Sequence, residues 1–311
     1  MKKLPEIPSD ANKYTRGSLL VLAGSRRYFG AGVLATLAAE KTGAGYVKLA
    51  TPQGAVFAAK MHLLCSPVIE AAEDNIYGGF AASALPDILQ EATHVDALCV
   101  GPGLTVQENT SLFLSKILQH AAGENIPLLL DADALTILAA KPQLADARRA
   151  ELLATQDMPE QTISPLILTP HEGELARLHN AFFLAPRFQN EEPWPQTKLR
   201  VSVSEAAEAL SEELGAIVVA KGPTTFIADG VSLTESSKAS PALAKAGTGD
   251  VLSGIISSLL AQGIAALDAA ILGVEIHGKA GLLAEKKLGR RSVTALDVIE
   301  ALPQAVKSFE V

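Results

Sequence analysis

Short runs of consecutive apolar residues recur along the 311-residue chain, and most end in glycine, proline or a polar residue before a helical pattern begins. They are "SLLVLAG" at 18–24, "GYVKLATP" at 45–52, "VDALCVGPGL" at 95–104, "IPLLLDADAL" at 126–135, "PLILTPHEGELARL" at 165–178 and "GAIVVAKGPTTFIADG" at 215–230. A strand that is apolar on both faces must be covered on both faces, and helices interposed between such strands supply the covers. The alternation predicts an α/β fold with a mostly parallel central sheet between helices. A hairpin-like pair is expected within 215–230, and the last third, from Gly249 to Leu302, reads as helices. Apolar residues are 48% of the chain, enough for a sizeable core, and no internal repeat is present. The length suits a single domain over 1–311. Segment 182–203, with three prolines and mixed charge, predicts a surface insertion, and 144–164 a helix and loop.

Charge narrows the partners. The formal net charge is −8 and no Lys/Arg block occurs, which argues against nucleic acid while allowing a local basic pocket for a small phosphate. "MKKLPEIPSD" has two lysines but no apolar stretch behind them, so it is not a secretory signal. The most membrane-like segment, Val251 to Leu267, contains Gly263 and falls short of spanning length, so it reads as a buried helix. The chain is expected to be soluble and cytoplasmic, with no membrane contact. Cys65 and Cys99 have apolar neighbours and read as buried thiols, with a disulfide left open.

Polar punctuation falls just after the strands, at Gly24-Ser25, Gly101-Pro102-Gly103, Asp131, Thr169-Pro170-His171 and Lys221-Gly222. Ligands of open α/β sheets bind outside the carboxyl ends of strands, so one site assembled from these loops is expected. "AKAGTGDVLSGI", Ala244 to Ile255, sets two glycines before a helix start. Glycines admit a ligand close to the backbone, and the free amides and dipole of a helix N-terminus favour an anion. Asp250 could accept a proton from an attacking hydroxyl, or simply cap the helix, and local sequence divides these readings evenly. The loop is not a Walker A motif, because no Lys-Ser/Thr pair follows the glycines. "HEGE" at 171–174 lacks the second histidine of a zinc motif, and Pro170 and Glu172 read as a helix opening. Asp131 and Asp133 read mainly as helix caps, Lys221 as a strand-end charge or a ligand group, and Arg26 and Arg27 as phosphate-neutralising or solvated.

"AGTGDVLSGI", "TPHEGEL", "GPGL", "DADAL" and the early "GS....GAG...A...TGAGYV", in this order over about Gly17 to Leu302, resemble the ribokinase-like superfamily. More closely, they are similar to NAD(P)H-hydrate dehydratases that use ADP or ATP. The resemblance implies a three-layer ribokinase-like fold and a repair reaction. The nucleotide phosphorylates the extra ring hydroxyl of hydrated NADH or NADPH, and phosphate then leaves. It implies Asp250 as the base, with Gly247 and Gly249 in the phosphoryl cradle. Ala31, Gly103 and His171 match positions that contact the hydrated dinucleotide. Lys221, Gly222, Pro223, Thr224, Thr225 and Gly249 match positions around the adenine nucleotide, and Glu174 matches an acid that places Mg2+ through water. Homo-oligomers, tetramers or larger, are implied as well. The chain departs from the family pattern at Ser240, Ala242, Lys245 and Ala246, where Asn and small residues are usual; Lys245 would add a positive charge beside the site. Two other readings remain: a ribokinase-like kinase acting on an alcohol of a vitamin or sugar, and a nucleotide-binding protein without catalysis.

Overall fold

The computed structural model describes residues 2–74, 76–156, 164–184, 198–236 and 239–310. Nine strands form one sheet in the order β3-β2-β1-β4-β5-β6-β7-β8-β9. They are β1 (Ser18–Leu22), β2 (Tyr46–Pro52), β3 (Val68–Ala71), β4 (Ala97–Val100), β5 (Leu128–Leu130), β6 (Leu166–Leu168), β7 (Ile217–Ala220), β8 (Thr225–Ala228) and β9 (Leu233–Ser236). The first seven are parallel and β8 and β9 are antiparallel, giving the expected hairpin at one edge.

Successive side chains of a strand point to opposite faces, and here both faces are buried. Leu19 and Val21 of β1 and Cys99 of β4 join one core; Leu20, Leu22 and Val100 join the other. The first core is closed by helices α1 (Phe29–Thr42), α2 (Gln53–His62), α9 (Thr248–Ala261), α10 (Ala266–Leu288) and α11 (Ala295–Lys307). The second is closed by α3 (Leu85–Ala92), α4 (Glu108–Gly123), α5 (Asp133–Ala140), α7 (Glu172–His179) and α8 (Val203–Leu214). Helix α6 (Asp146–Gln156) precedes the undescribed residues 157–163. The result is the three-layer arrangement expected. Helices α1 and α9 pack backbone to backbone, since a Cβ on Gly254 would stand 2.1 Å from the Ala35 carbonyl oxygen.

The chain moves from β1 outward through β2 and β3, then returns to place β4 on the other side of β1. That reversal is a topological switch point, where the loops after two neighbouring strands diverge and leave a crevice. The amide of Gly24, after β1, donates to the Pro102 carbonyl, after β4, at 2.7 Å and ties the two loops together there.

Some expectations require correction. Cys65 is exposed, because it follows α2 at the surface; Cys99 is buried, and burial pushes its thiol up to about 12. Both are free thiols. Strand β3 and helix α3 were not expected, and partial exposure of Val68, Ile69 and Glu70 explains the absence of a continuous apolar run. The membrane-like run ends as α9 at Ala261, and among the described residues no helix is long and apolar enough to cross a membrane. Most of the expected 182–203 insertion, residues 185–197, lies outside the described residues.

Candidate active site

The first turn of α9 follows from its glycines. Gly247 is the N-cap with φ of +89°, and a Cβ there would stand 2.7 Å from Leu34 Cδ1, so only glycine makes this turn without strain. Thr248 Oγ1 donates to the carbonyls of Leu243 (2.6 Å) and Lys245 (2.8 Å) and fixes the approach. No acceptor among the described residues takes the amides of Gly249 or Asp250. Free amides at the positive end of a helix dipole make an anion site. The cap side chain that would compete for them is missing, since Gly247 has none.

Asp250 is half-buried and has no hydrogen-bond partner among the described residues. Burial, and then the charge of Asp131, raise its pKa to about 7, against the opposing pull of Lys221. A carboxylate tuned to neutrality is suited to exchange a proton with a substrate hydroxyl.

Asp131 overturns its reading as a helix cap. Helix α5 begins at Asp133 behind Ala132 (φ +51°), with no side-chain cap bond. Asp131 instead accepts from Lys221 Nζ at 2.8 Å and from Ser253 Oγ at 2.7 Å. Asp133 does not cap the helix either; it accepts from the Thr105 amide at 2.8 Å, joining the loop after β4 to the loop after β5. Lys221 is no ordinary strand-end charge, since its side chain is 19% exposed and its pKa is raised by Asp131 and Glu174 despite burial. A Cβ on Gly249 would lie 3.3 Å from Lys221 Nζ, which places that ammonium beside the open amides.

The ends of β6 and β7 meet through a parallel bridge between His171 and Lys221. His171 is the N-cap of α7. Its Nδ1 accepts from the Gly173 (3.0 Å) and Glu174 (3.3 Å) amides, while Glu174 Oε2 accepts from the His171 amide at 2.9 Å. Burial, then the charge of Lys221, lowers the imidazole pKa, so the ring stays neutral with its proton on Nε2. Glu174 is buried, and burial raises its carboxyl to about 7. Among the described residues no cluster of three His, Cys, Asp or Glu could hold a metal. The donor set fits a magnesium ion carried on nucleotide phosphates and reached through water, and Glu174 is the residue that would hold such a water.

On the other flank, Gly103 has φ of +68°, and a Cβ there would stand 2.8 Å from the Tyr28 carbonyl oxygen and 3.1 Å from Ala31 Cβ. Ala31 and Gly103 are thereby brought together across the switch point. Gly222, Pro223 and Thr224 form the turn from β7 into β8, where Thr225 is buried. Arg26 pairs with Glu73, and Arg27 lies over the Tyr28 ring at 5.3 Å. Among the departing residues, Ser240 hydrogen-bonds Glu285 and caps Ala242, while Ala246 is exposed. The ammonium of Lys245 donates to the Arg291 carbonyl at 2.7 Å, so its charge sits at the α10–α11 connection.

Comparison with known proteins assigns the chain to a family. The sequence model of the NAD(P)H-hydrate dehydratase family, also called the carbohydrate kinase family, matches residues 19–304. The chain belongs to this family. A family member from Cenarchaeum symbiosum, an ADP-dependent (S)-NAD(P)H-hydrate dehydratase, is 30% identical over 99% of this chain and 95% of its own length. A bifunctional NAD(P)H-hydrate repair enzyme of Thermofilum pendens is 34% identical over 98% of this chain. The chain spans about half of that relative's length, 53%. Among dehydratase structures, the ADP/ATP-dependent NAD(P)H-hydrate dehydratase of Bacillus subtilis, co-crystallised with ATP and Mg2+, superposes with a TM-score of 0.74. It is 26% identical over 99% of this chain and 95% of its own.

Proposed function

We propose that the protein dehydrates hydrated NADH or NADPH with ADP or ATP as phosphoryl donor, and that residues 1–311 act as one catalytic domain. The observation that carries this reading is Asp250, a carboxyl near neutrality at the mouth of an anion site, with Lys221 beside it. In the first step Asp250 takes the proton of the ring hydroxyl. The hydroxyl oxygen forms a bond to the terminal phosphorus of the nucleotide, and the bond to the leaving nucleotide oxygen breaks. The Gly249 and Asp250 amides and the Lys221 ammonium hold the charge that spreads over the transferring group. In the second step the carbon–oxygen bond breaks, phosphate departs with the electron pair, and a proton lost from the neighbouring carbon restores the ring double bond. Phosphate leaves far more readily than hydroxide, which is why the nucleotide is consumed.

In this reading Ala31, Gly103 and the Nε2–H of His171 bind the dinucleotide, while Lys221, Gly222, Pro223, Thr224, Thr225 and Gly249 bind the adenine nucleotide. Magnesium, when bound, neutralises the nucleotide phosphates, with Glu174 holding one of its waters.

The test is incubation with hydrated NADH, magnesium and either ADP or ATP. Recovery of reduced-nicotinamide absorbance with release of phosphate is expected. No recovery with either nucleotide, at enzyme levels where a known dehydratase works, would overturn the reading. A stable phosphate ester formed from an added vitamin or sugar alcohol would instead assign a kinase.

A further inference from the structure

We infer that Asp131 is a positioning residue, one carboxylate that holds Lys221 and helix α9 in register for phosphoryl transfer. The reaction it serves is the dehydratase reading above, whereas the contacts belong to the protein alone. Asp131 follows β5, between β4 and β6 in the sheet, and its side chain is 2% exposed. Its oxygens are divided. Oδ1 accepts from Lys221 Nζ at 2.8 Å, and Oδ2 accepts from Ser253 Oγ at 2.7 Å. Lys221 follows β7 directly, and Ser253 sits one turn along α9 from Gly249, whose carbonyl also lies 3.2 Å from the Ser253 hydroxyl. The strand end that carries the lysine and the helix that carries the base thus meet on a single side chain.

A lysine stem has four rotatable carbons and, unpaired, samples many rotamers. Bound to Asp131 it keeps one place, beside the gap left by the missing Cβ of Gly249. Stability does not account for the arrangement. A buried ion pair contributes little net stability, and a second buried carboxylate near Asp250 works against the fold. Such a cost is characteristic of groups placed for chemistry.

The experiment is a double-mutant cycle of Asp131→Asn and Lys221→Met, read by melting temperature, by kcat and KM for hydrated NADH, and by calorimetric ADP affinity. Asparagine keeps the volume and can still face both partners, but carries no charge. Asp131→Asn leaves the buried Lys221 ammonium without its hydrogen-bonded counter-charge and is expected to melt several degrees below wild type while staying folded at assay temperature. Its kcat should fall by about 10-fold or more, with KM for hydrated NADH changed less than about threefold. In the Lys221→Met background the same change should cost less than about threefold, because its effect passes through the lysine. Wild-type kcat in folded Asp131→Asn, or an equal loss in both backgrounds, would overturn the inference. If Asp131→Asn does not fold, Ser253→Ala reads the same tie from the helix: a loss of about threefold or more in kcat supports it, and wild-type kcat overturns it. If wild-type protein dehydrates nothing, the dehydratase reading fails by itself and the cycle is read on ADP affinity. A shift of at least about threefold in Asp131→Asn that vanishes beside Lys221→Met supports the tie; an unchanged affinity, or one shifted equally in both backgrounds, overturns it.

Discussion

Lys221 occupies space that Gly249 leaves open: a Cβ on residue 249 would stand 3.3 Å from the lysine ammonium. Gly249 lies in the first turn of α9 without a positive φ, so alanine suits its backbone and helix propensity favours the change by up to about 1 kcal/mol. Gly249→Ala should therefore keep or raise the melting temperature while lowering kcat by about 10-fold or more, as the ammonium is displaced from the anion site. Steady-state kinetics beside a thermal melt check both halves.

The raised pKa of Asp250 makes two linked predictions. As a base it must be ionised, so kcat/KM should rise as pH increases through about 7. Stability runs the other way. Between the ordinary carboxyl value of 3.8 and about 7, the folded protein holds a proton that the unfolded chain has released, so this group's contribution declines as pH rises across that window. Asp250→Asn should abolish turnover, leave ADP binding in place and melt a few degrees higher than wild type at pH 8. A pH series of melts and turnover rates on both proteins reads these effects.

A substitution at Gly103 tells the two proposed ligand sites apart. Its φ of +68° and the 2.8 Å approach to the Tyr28 carbonyl oxygen leave no room for a methyl group. Gly103→Ala should push back the start of α1, which holds Ala31, raising KM for the dinucleotide by about 10-fold or more with ADP affinity within about threefold of wild type.

Packing of α1 on α9 is expected to be a sensitive point of the scaffold. A Cβ on Gly254 would lie 2.1 Å from the Ala35 carbonyl oxygen, and backbone cannot step aside as a side chain can. Gly254→Ala should destabilise by about 1–3 kcal/mol, with the midpoint of a urea titration falling accordingly.

Much of this was legible because the strands are apolar on both faces and end in small or polar residues. "SLLVL" and "LLLD" announce buried parallel strands, and the helix opening read at Pro170 and Glu172 is the start of α7, where the structure makes His171 the N-cap. What stayed hidden is non-local or marginal. Asp131 looked like a cap because its partners, Lys221 and Ser253, are 90 and 122 positions away and leave no trace in its neighbourhood. Strand β3 is half-exposed, so its composition lacks the signature of its neighbours. Cys65 has apolar neighbours, yet lies just beyond the end of α2 at the surface.

The spread of those partners bears on how the molecule is made. A chain growing from its N-terminus can pair β1, β4 and β5 long before Ser253 has been synthesised, and those strands could become compact without a nucleotide site. Until α9 docks, Asp131 lacks the Ser253 hydroxyl, so the tie between lysine and helix needs the C-terminal third of the chain. Under the proposed function, adenine nucleotide would bind chains in which α9 has docked and so add its binding energy to the completed fold alone.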